Sequence, residues 1–160
     1  MSFVTAQKTF TCTQINTGNI KEVFPLLCPV REKDWIDGWN CKMIHSISGL
    51  IEKNCVFTTK HHGDLETIWH VTQYDKENYS IEFLRVTLNE NTVRINIHLE
   101  KIDESNTKTH ISYLYTILGI YQVKEKMSQI EQSFLESMTY WEKAINYYVK
   151  TGKMLKKFKV

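Results

Sequence analysis

Three regimes of hydrophobic spacing follow one another along the chain. Residues 8–15, KTFTCTQI, alternate Phe10 and Cys12 with Thr9, Thr11 and Thr13, which is the period of a β-strand. TGNIKEVFPLL follows, opening on cap-type residues and setting Ile20, Val23, Phe24 and Leu27 on one helical stripe. Pro25 keeps that helix short. From Cys41 to Leu118 the period returns to two. Strands are predicted at 41–48, 54–61, 67–74, 79–88, 92–102 and 109–118, separated by SGLIEKN, HGD, DKEN, NEN and DESNTK. TVRINIHLE is the clearest of them. Val93, Ile95, Ile97 and Leu99 point one way, and Arg94, Asn96, His98 and Glu100 the other, so one face packs and one meets water. Connections this short make hairpins, and the sheet is expected to be an antiparallel meander. The third regime is helical. Val123, Met127, Ile130, Phe134, Met138, Trp141, Ile145 and Tyr148 recur at steps of three and four. The other face carries Lys126, Gln129, Glu136 and Lys143. At 1.5 Å per residue this helix is about 45 Å long. The inner face of the sheet is the only surface large enough to bury its stripe.

The expected fold class is therefore α+β: a strand, a short helical segment, six antiparallel strands and a long C-terminal helix. With two prolines, six glycines, no repeat and no low-complexity stretch, residues 1–160 read as a single domain, its tail from about 152 free to flex. Hydrophobic residues make up 42% and charged residues 24%, a composition that folds rather than one that stays disordered. A net charge of +2 is too balanced to suggest nucleic acid as a partner. The longest apolar stretch, Tyr113 to Tyr121, is too short to span a bilayer, so no integral membrane segment is expected. The first residues, MSFVTAQKTF, lack a basic-then-apolar signal pattern. The expected location is the cytoplasm, with thiols kept reduced. The sequence assigns no oligomeric state.

VFPLLCPVREKDWIDGW, TIWHVTQYD, IEFLRVT and WEKAINYYVKTGKML, in this order of elements, resemble a prokaryotic branch of the START, polyketide-cyclase and plant pathogenesis-related superfamily (SRPBCC). The resemblance runs over nearly the whole chain. It implies the helix-grip fold, a curved sheet of about seven strands wrapped around the C-terminal helix. It also implies a cavity for a hydrophobic small molecule between sheet and helix, with the segment after the first helix covering one end. One fold supports many functions, so the resemblance carries little mechanism.

Candidate cavity-lining residues are Trp35, Trp39, Phe57, Trp69, Phe83, Arg85, Tyr113, Tyr115, Phe134, Met138 and Trp141. Aromatic residues at such spacing are core in most proteins, and a cavity is lined by what would otherwise be core. Arg85 shares a face with Ile81 and Phe83. If Phe83 faces the cavity, Arg85 can hold a ligand carboxylate or phosphate. Alternatively the strand faces the other way, or Arg85 pairs with an acid at the rim. Segment 31–39, within CPVREKDWIDGWNC (28–41), reads as a mobile lid that gates entry or a fixed plug. In one helical turn Trp35 and Trp39 would share a face.

The remaining chemistry is thin. The four cysteines, Cys12, Cys28, Cys41 and Cys55, form no C-x-x-C pair and read as small buried hydrophobes. Neither Cys28 nor Cys41 has a sequence-near base and orienting group. His61 and His62 fall on a predicted strand and should point to opposite faces, so no metal site and no cofactor is expected. No pair of carboxylates falls on a predicted inner face, which leaves no acid–base pair to read. The leading reading is a binding protein for a hydrophobic or amphipathic molecule, lipid-like or polyketide-like, with little or no catalysis. A cyclase or aromatase-like enzyme is the alternative, and it needs a polar cluster such as His70, Arg85 and Tyr113 aimed at one point. The third reading is a protein-interaction module with a filled cavity. The tail KTGKMLKKFKV, with five lysines, Leu155 and Phe158, has the charge for weak contact with an anionic membrane surface.

Overall fold

Residues 6–157 are described by a computed structural model. Strand β1 (Gln7–Asn16) leads into a crossover made of α1 (Ile20–Val23), a 3-10 turn (Phe24–Leu27) and α2 (Pro29–Glu32). Strands β2 (Cys41–His45), β3 (Val56–Lys60), β4 (Glu66–Asp75), β5 (Ser80–Thr87), β6 (Asn91–Lys101) and β7 (Thr107–Ile117) follow, then α3 (Val123–Thr151). All seven strands form one antiparallel sheet in the order β1-β7-β6-β5-β4-β3-β2. β2 to β7 are the expected meander. β1 closes on β7, so the crossover must travel from one edge of the sheet to the other.

Local chemistry explains the broken course of the crossover. The Asn19 side chain accepts from the Lys21 N–H at 2.9 Å, and the Glu22 carboxylate accepts from the Asn19 N–H at 3.3 Å, a reciprocal cap that starts α1. Pro25 lacks an N–H, and the chain tightens into the 3-10 turn. Cys28 is extended (φ −68°, ψ 127°), as the residue before a proline prefers, and Pro29 opens α2.

The predicted strands are found, with shorter ends in places. The strand expected at 41–48 stops at His45 and that expected at 54–61 runs from Val56 to Lys60. The Glu52 carboxylate accepts from the N–H groups of Ile47 and Ser48, and Asn54 takes a left-handed φ of 69°. Both shape a loop where period-two spacing alone suggested more strand. Burial alternates on β6, with Val93, Ile95, Ile97 and Leu99 inside. On α3 the stripe is buried at Phe134, Met138 and Ile145, joined by Ala144. Met127 and Ile130, nearer its start, are half-buried. No helix among the described residues is long and apolar enough to cross a membrane.

The end of the described chain is docked. The Tyr140 hydroxyl donates to the Leu155 carbonyl at 3.0 Å, and the Lys157 N–H donates to Asp37 at 3.0 Å. Phe158 and Lys159, on which membrane contact also drew, lie outside the described residues. Cys28 and Cys55 are buried, Cys12 and Cys41 half-buried, and all four are free.

Candidate functional site

Antiparallel register sets five residues side by side across the sheet. Phe57 of β3 faces Trp69 of β4, Trp69 faces Arg85 of β5, Arg85 faces Val93 of β6, and Val93 faces Tyr115 of β7. Residues opposite one another share a face, and here it is the inner one. Phe83 is buried beside them while Leu84 is exposed, so β5 turns its Arg85 side inward.

Two aromatic groups meet at Arg85. In the first, Phe57 and Trp69 stack with centroids 5.4 Å apart, and Phe83 meets them edge-on at 6.4 and 6.0 Å. Trp39 of the crossover closes this group, with its ring edge-on to Trp69 at 5.9 Å. In the second, Phe134 of α3 packs on Phe10 at 5.7 Å and on Tyr113 at 5.1 Å, and Tyr113 lies 6.1 Å from Tyr115. The Arg85 guanidinium sits 5.2 Å from the Trp69 ring, 5.8 Å from Tyr113 and 5.6 Å from Tyr115. Its Nη2 donates to the Tyr115 hydroxyl at 2.9 Å. Among the described residues no carboxylate pairs with it. Arg85 is half-buried, and its side chain makes one hydrogen bond among the described residues, that to Tyr115.

A cleft of about 470 Å³ lies one row further along. Asn91, Ile117 and Ile130 help line it, between the β5–β6 turn and the first half of α3. Asn91 and Ile117 face each other across β6 and β7, two residues on from Val93 and Tyr115, so the cleft opens next to the Arg85 row. The Asn91 Oδ1 is buried with no hydrogen-bond partner.

The other expected residues lie apart. Trp35 is fully buried and meets Trp141 edge-on at 5.6 Å. Trp141 also borders a cleft of about 660 Å³ with Tyr140 and Leu155. Met138 is buried against β1, its carbonyl accepting from Gln14 at 2.9 Å. Trp35 and Trp39 do not share one helical face, because α2 ends at Glu32. Their indole N–H groups donate at 2.8 Å to the carbonyls of Leu26 and Pro29 respectively. The crossover thus ties both tryptophans to its own backbone.

The histidines depart from expectation. His70 faces away from Trp69 and lies 3.4 Å from the Asn54 side chain, so a cluster of His70, Arg85 and Tyr113 does not form. His61 and His62 lie past the end of β3 in a turn, not on a strand. Their rings come together at 4.1 Å, and His61 pairs with Glu90 at 2.7 Å. The three side chains offer ligand atoms within 4.8 Å of one another and could hold a metal ion at the surface.

Sequence reasoning passed over Glu32. It is 5% exposed, and burial alone pushes its carboxyl up to about 8. No hydrogen bond to that carboxyl offsets the burial among the described residues. Burial also raises Tyr113, with Tyr115 and Glu32 adding to the shift and Arg85 opposing it. Cys41 is raised first by burial and then by Glu32. Glu32 is thus a buried carboxyl on the crossover whose charge adds to the upward shifts of Tyr113 and Cys41. Its spacing was the available signal, four after buried Cys28 and three before buried Trp35.

No protein-family model matches the chain, and no curated protein matches it by sequence. Solved structures do match. Norcoclaurine synthase from Thalictrum flavum, a point mutant in complex with a transition-state analogue, is 12% identical over 94% of this chain and 99% of its own, with a TM-score of 0.69. The Zhui aromatase/cyclase from Streptomyces sp. R1128 is 8% identical over 93% and 99%, with a TM-score of 0.71. An uncharacterised protein from Rhizobium leguminosarum is 9% identical over 90% and 95%, with a TM-score of 0.66. Norcoclaurine synthase has also been solved in complex with dopamine and hydroxybenzaldehyde. At these identities the likeness speaks for architecture, and the chain has the helix-grip fold.

Proposed function

We propose that this protein binds an amphipathic small molecule between the sheet and α3, its apolar body among Trp39, Trp69, Phe83, Tyr113 and Phe134 and its polar end on Arg85. One observation carries the reading: a half-buried guanidinium over three aromatic rings, bonded to a tyrosine hydroxyl and to no carboxylate. A structural arginine in an apolar setting normally takes a carboxylate partner. Here the ligand's oxygen takes that place, by the two-pronged geometry arginine offers carboxylates and phosphates. The cleft beside Asn91 and Ile117, one row on from Val93 and Tyr115, supports entry at that end of the sheet. Aromatic ligands such as those solved with norcoclaurine synthase have a flat shape that would stack on these rings.

Fluorescence titration with 8-anilinonaphthalene-1-sulfonate, a flat aromatic anion, tests this. Wild-type protein should bind it. Arg85→Ala should weaken binding about tenfold or more, the worth of one charge-assisted hydrogen bond of about 1.5–3 kcal/mol. Equal affinity in both proteins removes Arg85 from the site and leaves the reading without support.

A further inference from the structure

His61, His62 and Glu90 stand where two hairpins end side by side. Near the start of β4 and at the end of β5, Thr67 faces Thr87, and their buried hydroxyls bond at 2.8 Å. This bond holds the β3–β4 loop beside the β5–β6 turn. Within the loop the His61 N–H donates to the Leu65 carbonyl and the Leu65 N–H to the His62 carbonyl, both at 2.9 Å. Gly63 takes a left-handed φ of 56° between them, which permits so tight a reversal. In the turn, the Glu90 N–H donates to the Thr87 carbonyl at 3.1 Å, and the Glu90 carbonyl accepts from the Leu118 N–H at 2.8 Å. The backbone beneath all three side chains is therefore tied down, as a preformed site requires.

The side chains on that backbone converge. His61 Nε2 lies 2.7 Å from Glu90 Oε2, the His61 and His62 rings are 4.1 Å apart, and one ligand atom from each residue lies within 4.8 Å of the others. Ligands about 2.0–2.1 Å from a tetrahedral ion stand roughly 3.3 Å from one another. One edge of that figure is already closed, and turning the exposed imidazoles closes the rest. A His–Glu hydrogen bond alone uses His61 and Glu90 and leaves the second ring unaccounted for. The outer face of the sheet offers a comparison. There His98 and His110 stack at 6.2 Å and His110 pairs with Glu100 at 3.2 Å. The residue types are the same, but their ligand atoms do not gather within reach of one ion.

We propose that His61, His62 and Glu90 bind one divalent ion of intermediate softness, of the Zn2+ class. Imidazole suits zinc, copper and nickel, whereas calcium and magnesium take oxygen ligands. Three protein ligands leave a position for water or an anion. Glu90 also lines the cleft of about 470 Å³ beside α3, so the ion is held at the edge of that cleft. The proposal does not depend on ligand binding at Arg85.

Isothermal titration calorimetry of the tag-free protein with zinc chloride tests it. One equivalent should bind. His61→Ala, His62→Ala and Glu90→Gln should each weaken binding about 100-fold, the upper end of the cost of losing even an outer partner of a metal ligand. His98→Ala should bind as wild type does. All four side chains are at least partly exposed, and unchanged urea midpoints without zinc would verify that the variants keep the fold. Absence of saturable binding by wild type overturns the proposal. So does wild-type affinity in any of the three ligand variants, because that residue is then no ligand. Zinc held by the free thiols would give that result in all three.

Discussion

Glu32 destabilises the fold it sits in, and the direction with pH follows from its proton. The folded carboxyl holds its proton up to about 8, whereas an ordinary one releases it near 4.5. Between those values the folded state binds more protons than the unfolded state, so stability falls as pH rises across that window. It is greatest below the lower value and has lost this contribution above the upper one. Glu32→Gln removes the titration. The variant should be more stable than wild type by about 2–3 kcal/mol at pH 7, with urea midpoints that no longer decline between about pH 5 and 8 on this account. Parallel declines in the two proteins would show that the carboxyl is not buried as described. Arg85 was legible as a candidate because alternation placed it beside Phe83. What covers it was not, since Tyr115 lies 30 residues away and cross-sheet register decides the pairing. Glu32 was missed because charged residues interleaved with tryptophans read as a solvated face, when the broken helix turns this one inward.

At the scale of elements, alternation and helical stripes located every strand and α3, but not the path of the crossover. That path depends on proline positions and on one close approach. Gly18 is buried where β1 gives way to α1, and a Cβ there would stand 2.9 Å from Val149 Cγ1 and 3.1 Å from Val23 Cγ2. Both neighbours are β-branched and stiff. Gly18→Ala should therefore push α1 from α3 and cost about 1–3 kcal/mol, read as a lowered midpoint in urea with unchanged slope. A neutral result would mean that the contact yields freely. The same closeness explains how a segment without a long helix holds its place. Asp37 accepts from Lys157, its own N–H donates to the Tyr140 hydroxyl, and α3 thereby reaches the crossover. Strand ends were misplaced where side chains shape the loop: Glu52 cut β2 short, and the turn at Gly63, with φ 56°, brought His61 and His62 together.

For the whole molecule, the helix-grip architecture follows from three facts: a one-faced sheet, a one-striped helix of matching length, and β1 closing on β7. Whether the interior is a cavity or a filled core does not follow from spacing, because core and cavity use the same residues. The three tryptophans with bonded indole N–H groups offer the most direct check. Trp69 donates to Thr59 Oγ1 at 3.0 Å beside Arg85, Trp39 closes over Trp69, and Trp35 is tied to Leu26 on the Trp141 side. We would record the indole N–H signals of 15N-labelled protein by NMR while adding 8-anilinonaphthalene-1-sulfonate. The account predicts that the Trp39 and Trp69 signals move together and saturate with the dye while Trp35 stays nearly still. Saturable binding that leaves Trp39 and Trp69 in place would contradict it, and would mean that the space between sheet and helix is filled by the protein's own side chains.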